Sequence, residues 1–178
     1  MNKKTQISVI LILIVLGFTA RLFPHPANFV PIGAIAIFGA LYLPRKIALL
    51  VPLLTMFVSD IFIGFYSWPM MASVYLGFAL MGLIGLQVRK NKKFSTLLSG
   101  TLLGSFLFFL LTNTAVWAFG TMYTMDISGL FQSYYMALPF FRNSILGDLF
   151  YTGVLVGAVE ALQYYYQIKN IKQKISNL

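Results

Sequence analysis

Six stretches of this chain are almost wholly apolar, and the segments between them alternate in character. The apolar stretches are Gln6–Leu22, Pro31–Leu43, Lys46–Gly64, Met70–Val88, Phe94–Phe119 and Asn143–Tyr166. Prolines punctuate them: Pro24 and Pro26 end the first, Pro44 ends the second, and Pro52 lies inside the third. A straight crossing of a bilayer core takes about 20 residues, so five of the stretches are long enough and Pro31–Leu43 is short. The pattern predicts an all-α membrane protein, a compact bundle of six transmembrane helices in a single domain. The segment Leu130–Phe141 between the fifth and sixth stretches reads as a surface helix at the membrane interface, with Tyr134, Tyr135, Phe140 and Phe141 suited to an aromatic belt.

The connectors set the expected orientation. Lys3/Lys4, Arg45/Lys46, Arg89–Lys93 and Lys169/Lys172/Lys174 are basic clusters, and between consecutive clusters lies apolar sequence for two crossings. The positive-inside rule places all four in the cytoplasm, with both termini. It also requires the short second stretch to cross, because a re-entrant segment would put Arg45 and Lys46 outside. Three loops, Phe23–Val30, Phe65–Pro69 and Gly120–Arg142, then face outward. The expected location is the cell (inner) membrane.

Composition agrees. Of 178 residues, 59% are hydrophobic and 10% charged, against roughly 25% charged in a soluble domain; mean hydropathy is +0.83. The net charge of +9 sits in short loops and tails, which fits contact with anionic membrane lipids and not nucleic acid. No cysteine is present, which excludes disulfides and thiolate chemistry, and the lone histidine cannot build a multi-histidine metal site. The N-terminus imitates a signal peptide, but Phe18 stands where cleavage after Ala20 wants a small residue, so a retained first span is expected.

Candidate chemistry lies in the few polar residues inside the spans, where an ionisable group at a helix centre costs about 2.5–3.5 kcal/mol. By helical rise, Asp60 falls ~6 Å and Asp148 ~8 Å below the outer rim. Asn113 lies at similar depth with Trp117 one turn above it, and Arg142 and Asn143 open the sixth span. These groups predict an outward-facing pocket. Asp60, Asp148 and Asn113 would supply hydrogen bonds, Arg142 a positive charge from the outer rim beside Asn143, Trp117 a wall, and His25 and Asn28 would cap it from the proline-stiffened Phe23–Val30 loop. The same groups would also serve as interhelical glue. Ala36 and Ala40 form a small-xxx-small pair that suits either internal packing or docking of a partner subunit. Leu146-Gly147-Asp148 has part of the Gly-x-Gly-Asp pattern of intramembrane aspartyl proteases, with Asp60 as the second carboxylate, but Ile145 replaces the first glycine.

Three clusters of motifs, Pro24-His25-Pro26-x-Asn28-Phe29-x-Pro31, Thr112-Asn113-x-x-x-Trp117 and Pro139-Phe140-Phe141-Arg142-Asn143-x-x-x-Gly147-Asp148, together with Ser59-Asp60, resemble an uncharacterised bacterial integral membrane family. That family is in turn similar in size and topology to the substrate-binding S component of energy-coupling factor (ECF) transporters. The resemblance implies a non-enzymatic capture subunit for a small vitamin-like or heterocyclic molecule. It would dock on a transmembrane T component driven by cytoplasmic ATPases, and no cofactor of its own is implied. S components often meet that partner through an Ala-x-x-x-Ala contact in their first helix; here the match, Ala36/Ala40, is in the second span. The alternatives are a structural or accessory membrane protein without ligand and an intramembrane aspartyl hydrolase.

Overall fold

The computed structural model describes residues 2–176. Among them are six helices and no strand: α1 (Lys3–Leu22), α2 (Ile32–Tyr42), α3 (Arg45–Ile63), α4 (Trp68–Val88), α5 (Phe94–Phe119) and α6 (Ile127–Ser176). All except α2 are long and apolar enough to cross a membrane, the pattern of a multi-pass membrane protein. The helix ends follow local chemistry. The Asn2 side chain accepts from the Thr5 N–H at 2.8 Å to start α1, Pro69 sits in the first turn of α4, and α3 stops at Gly64, whose φ of 106° favours glycine.

The helices alternate in direction. The Arg45/Lys46 and Arg89–Lys93 turns therefore share one end of the bundle, where α1 also begins and α6 ends. At this basic end Arg89 donates to the Leu43 carbonyl at 2.7 Å, Lys92 lies 4.6 Å from the Tyr42 ring centre, and Tyr42 donates to Glu160 at 2.7 Å. Lys172 and Lys174 of the C-terminal basic cluster have side chains outside the described residues.

The short helix α2 is the axis of the fold. Every residue from Ile32 to Leu41 is buried, which explains a sequence apolar on all faces. Ala36 and Ala40 are fully buried. A Cβ at Gly85 of α4 would come within 2.6 Å of the Ala40 Cβ, so the small residues let α2 and α4 approach closely. That corrects the expectation that Ala36 and Ala40 dock a partner subunit: neither reaches the surface.

Helix α2 also starts deep. A Cβ at Gly33 would meet Met81, thirteen residues into α4 and so ~20 Å from its start by helical rise. The connector before α2 must descend to that level. It does so beside α6: Asn143 Nδ2 donates to the Ala27 carbonyl at 3.0 Å, and the Phe29 ring lies 5.6 Å from that of Tyr151. A turn closed by the Phe29 N–H on the Pro26 carbonyl at 2.9 Å places Asn28 at φ 63°, a left-handed conformation asparagine tolerates. What the sequence presents as a rim loop is an extended segment entering the bundle.

The fifty residues of α6 span ~75 Å. The expected break between a surface helix and a span at Asn143 is absent. Tyr134 meets Thr114 at 2.7 Å, Phe141 stacks on Phe109 at 4.4 Å, and Ser105 donates to Asp148 at 2.7 Å, so α6 follows α5 from its first turns. Pro139 removes one intrahelical donor without ending the helix. Ser133 of this segment is buried and donates to the Leu130 carbonyl at 2.8 Å. Beyond Glu160 the described side chains of α6 are exposed.

Candidate functional site

Two acidic side chains are buried within the bundle, and they are held differently. Asp60, on the last turn of α3, is 1% exposed, and its Oδ1 meets Arg21 Nη2 at 2.8 Å. Its Oδ2 accepts from Tyr75 Oη at 2.8 Å. Arg21 also donates to Ser59 Oγ and to the Met56 carbonyl at 3.2 Å. The charge of Asp60 is thus answered within one cluster that ties α1, α3 and α4 together.

Asp148 is 7% exposed and has no cation beside it. Its sole hydrogen-bond donor among the described residues is Ser105, at 2.7 Å to Oδ2. The other oxygen faces Gly33, where any Cβ would collide with it. The glycine is therefore needed because of Asp148. Ser105 lies fourteen residues from the end of α5, so Asp148 is ~21 Å from that end by helical rise, far deeper than the ~8 Å expected from a span starting at Asn143. The depth differs because α6 begins at Ile127 and already packs on α5 at Tyr134, well before Asn143.

Between these two groups is a cavity of about 380 Å³. Its mouth is formed by His25, Asn28 and Tyr66, its walls by Met56, Val74, Phe78 and Phe108, and its polar interior by Arg21, Ser144 and Asp148. The Tyr66 phenol is held above its ordinary pKa because burial, and then the Asp60 carboxylate, disfavour its ionisation. A second recess of about 280 Å³ shares Asn28, Val74, Phe108 and Ser144 with the first and adds Asn113 and Phe141.

The expected site residues divide accordingly. His25, Asn28 and Asp148 line the cavity beside Arg21, and Asn113 lines the adjoining recess while donating to the Phe109 carbonyl at 2.8 Å. Asp60 stands behind Arg21 and orients it. Asn143 fastens the connector through Ala27. Two placements are corrected. Arg142 is exposed, lines neither cavity and forms no ion pair among the described residues; a neighbour in sequence of the recess residue Phe141, it is carried to another face of α6. Trp117 lines neither space; its Nε1 donates to the Thr124 carbonyl at 3.0 Å and closes the α5–α6 turn.

Arg21, Ser105, Gly33 and Tyr75 escape a reading of the sequence alone. Arg21 resembles a terminal basic residue, and Ser105 and Tyr75 resemble ordinary span residues. The usable signal is the pairing of one intramembrane arginine with one aspartate. The two carboxylates meet α4 at different levels: Asp60 bonds Tyr75, whereas Gly33, beside Asp148, abuts Met81, six residues or ~9 Å further along α4. No group of three histidine, aspartate or glutamate side chains able to hold a metal occurs among the described residues.

A family model described as "Family of unknown function (DUF6580)" matches residues 1–171. No curated protein and no solved structure matches the chain.

Proposed function

We infer that this chain, which belongs to the DUF6580 family of unknown function, is a membrane-embedded binding protein for a small molecule, acting as a substrate-capture subunit in uptake. The observation that carries this reading is the cavity of about 380 Å³, which falls in the range of roughly 300–1,000 Å³ of small-molecule sites and combines aromatic walls with an oriented arginine and a buried carboxylate. Its dimensions and lining suit a vitamin-like or heterocyclic ligand. The basic clusters at the other end orient that end toward the cytoplasm by the positive-inside rule, so the cavity opens to the outside of the cell membrane. No phosphate-binding loop motif occurs in the sequence. Energy for uptake therefore comes from partners, in the manner of a T component with cytoplasmic ATPases, and binding involves no reaction at the carboxylates.

A second reading is favoured by the Arg21–Asp60–Tyr75 cluster, which links three helices and would suit a structural or accessory protein. The two readings separate by mass spectrometry of small molecules extracted from the purified protein. The binding reading expects a low-mass compound enriched with the wild type and lost when Gly33→Met fills the cavity, with Val154→Met, at an exposed position of α6, as the control. Equal extracts from the wild type and Gly33→Met would leave the structural reading.

A further inference from the structure

The charges around the cavity do not balance, and the imbalance specifies a ligand class. This step rests on the reading of the cavity as a binding site. Four titratable side chains line it: Arg21, His25, Tyr66 and Asp148. The charge of Arg21 is answered by Asp60 at 2.8 Å. Tyr66 is neutral, and His25 is exposed at the mouth. Asp148 alone lacks a counterpart. Two carboxylate oxygens can accept about four hydrogen bonds, and this one receives a single bond, from Ser105. Arg142, six residues earlier, is exposed and pairs with no acid among the described residues. One turn further along α6, outside the cavity lining, the buried Thr152 Oγ1 has no hydrogen-bond partner among the described residues. A carboxylate lining a recess with so few donors gains from a cation and further donors, and Gly33, having no Cβ, leaves the room that its second oxygen occupies at the cavity wall.

We propose that the ligand is an aromatic or heteroaromatic cation whose protonated nitrogen binds Asp148, with its ring against the Phe78–Phe108 pair. Those two rings lie 4.7 Å apart and form an apolar wall, and an aromatic face also attracts a cation. A ligand anion would find the one cation of the interior already paired. A neutral ligand would leave the Asp148 carboxylate short of donors.

The test uses the full chain in lipid nanodiscs at neutral pH and three probes of similar shape: benzylammonium, benzyl alcohol and benzoate. Equilibrium dialysis is expected to show benzylammonium bound about tenfold or more tighter than the other two, the scale of a hydrogen bond to a charged group. Asp148→Asn is expected to remove that preference. If benzyl alcohol or benzoate binds as well as benzylammonium, or if the preference survives Asp148→Asn, the cavity still binds ligands and the charge assignment is wrong. If none of the three binds, the proposal fails; if in addition no compound co-purifies, the binding reading fails with it. The wild-type comparison decides the matter even where Asp148→Asn does not fold.

Discussion

Arg21 and Asp60 meet at 2.8 Å, joining the last turn of α1 to the last turn of α3 across nearly forty residues of sequence. The contact does two jobs. It neutralises a fully buried carboxylate, and it aims a guanidinium at the cavity. Because Asp60 also accepts from Tyr75, the position of the arginine is fixed from two sides.

Removing one partner of a buried ion pair strands the other charge. Arg21→Met is expected to destabilise the protein by about 3–5 kcal/mol, read as a loss of thermal stability in detergent. The double variant Arg21→Met/Asp60→Leu is expected to recover most of that loss. Additive losses in the double variant would show that the two residues act independently.

Glycines of α2 and α6 are expected to respond in opposite ways. Gly33→Ala drives a methyl group into Asp148 and Met81, an overpacking cost of about 1–3 kcal/mol. At Gly153 a Cβ meets nothing within 4 Å, so Gly153→Ala is expected to be neutral or to stabilise α6 by up to about 1 kcal/mol. Thermal unfolding of the two variants side by side checks the contrast.

Asp126 gives a pH dependence outside the membrane. Its carboxylate caps α6 by accepting from the Gly129 N–H at 2.7 Å and from Thr124 Oγ1 at 2.9 Å, and these bonds, the backbone one first, hold its pKa below the usual range. A depressed folded-state pKa contributes stability above the unfolded value and loses it as the pH falls through the folded one. Thermal stability is therefore expected to fall more steeply below about pH 4 in the wild type than in Asp126→Asn. Identical acid limbs for the two proteins would remove the cap from the account.

The proposed orientation can be read chemically because the chain has no cysteine of its own. In intact cells, Met122→Cys in the α5–α6 turn is expected to react with a membrane-impermeant maleimide, and Lys92→Cys only after permeabilisation. The reverse pattern would invert the protein and the direction of its cavity.

Much of the architecture was legible from hydrophobic runs and prolines, since the six apolar stretches coincide with helices to within a few residues apart from the two ends of α6. Depth was less legible. A run such as Pro31–Leu43 tells how long a helix is but not where it begins, and the descent of the Phe23–Val30 connector depends on Asn143 and on packing of Phe29 that has no local signature. The same holds for the site. Asp148, Asp60, His25, Asn28 and Asn113 stand out as polar residues among apolar ones, and four of them line the cavity or its recess. Arg142 stood out equally and lies elsewhere, because helical phase at Pro139–Arg142 is set by the packing of α6 on α5. Gly33 and Ser105 gain their roles only from the side chain they face.

The deep start of α2 bears on how a membrane voltage is distributed across this protein. Water in the cavity would carry the outside potential down to the level of Asp148. Most of the electrical drop would then fall over the eleven residues of α2, about 16 Å, and not over the full bilayer. Moving one elementary charge across 100 mV is worth about 2.3 kcal/mol, and a charged ligand descending to Asp148 would traverse little of it. Entry to the site would be nearly independent of the membrane potential, and passage beyond α2 would bear almost all of that dependence.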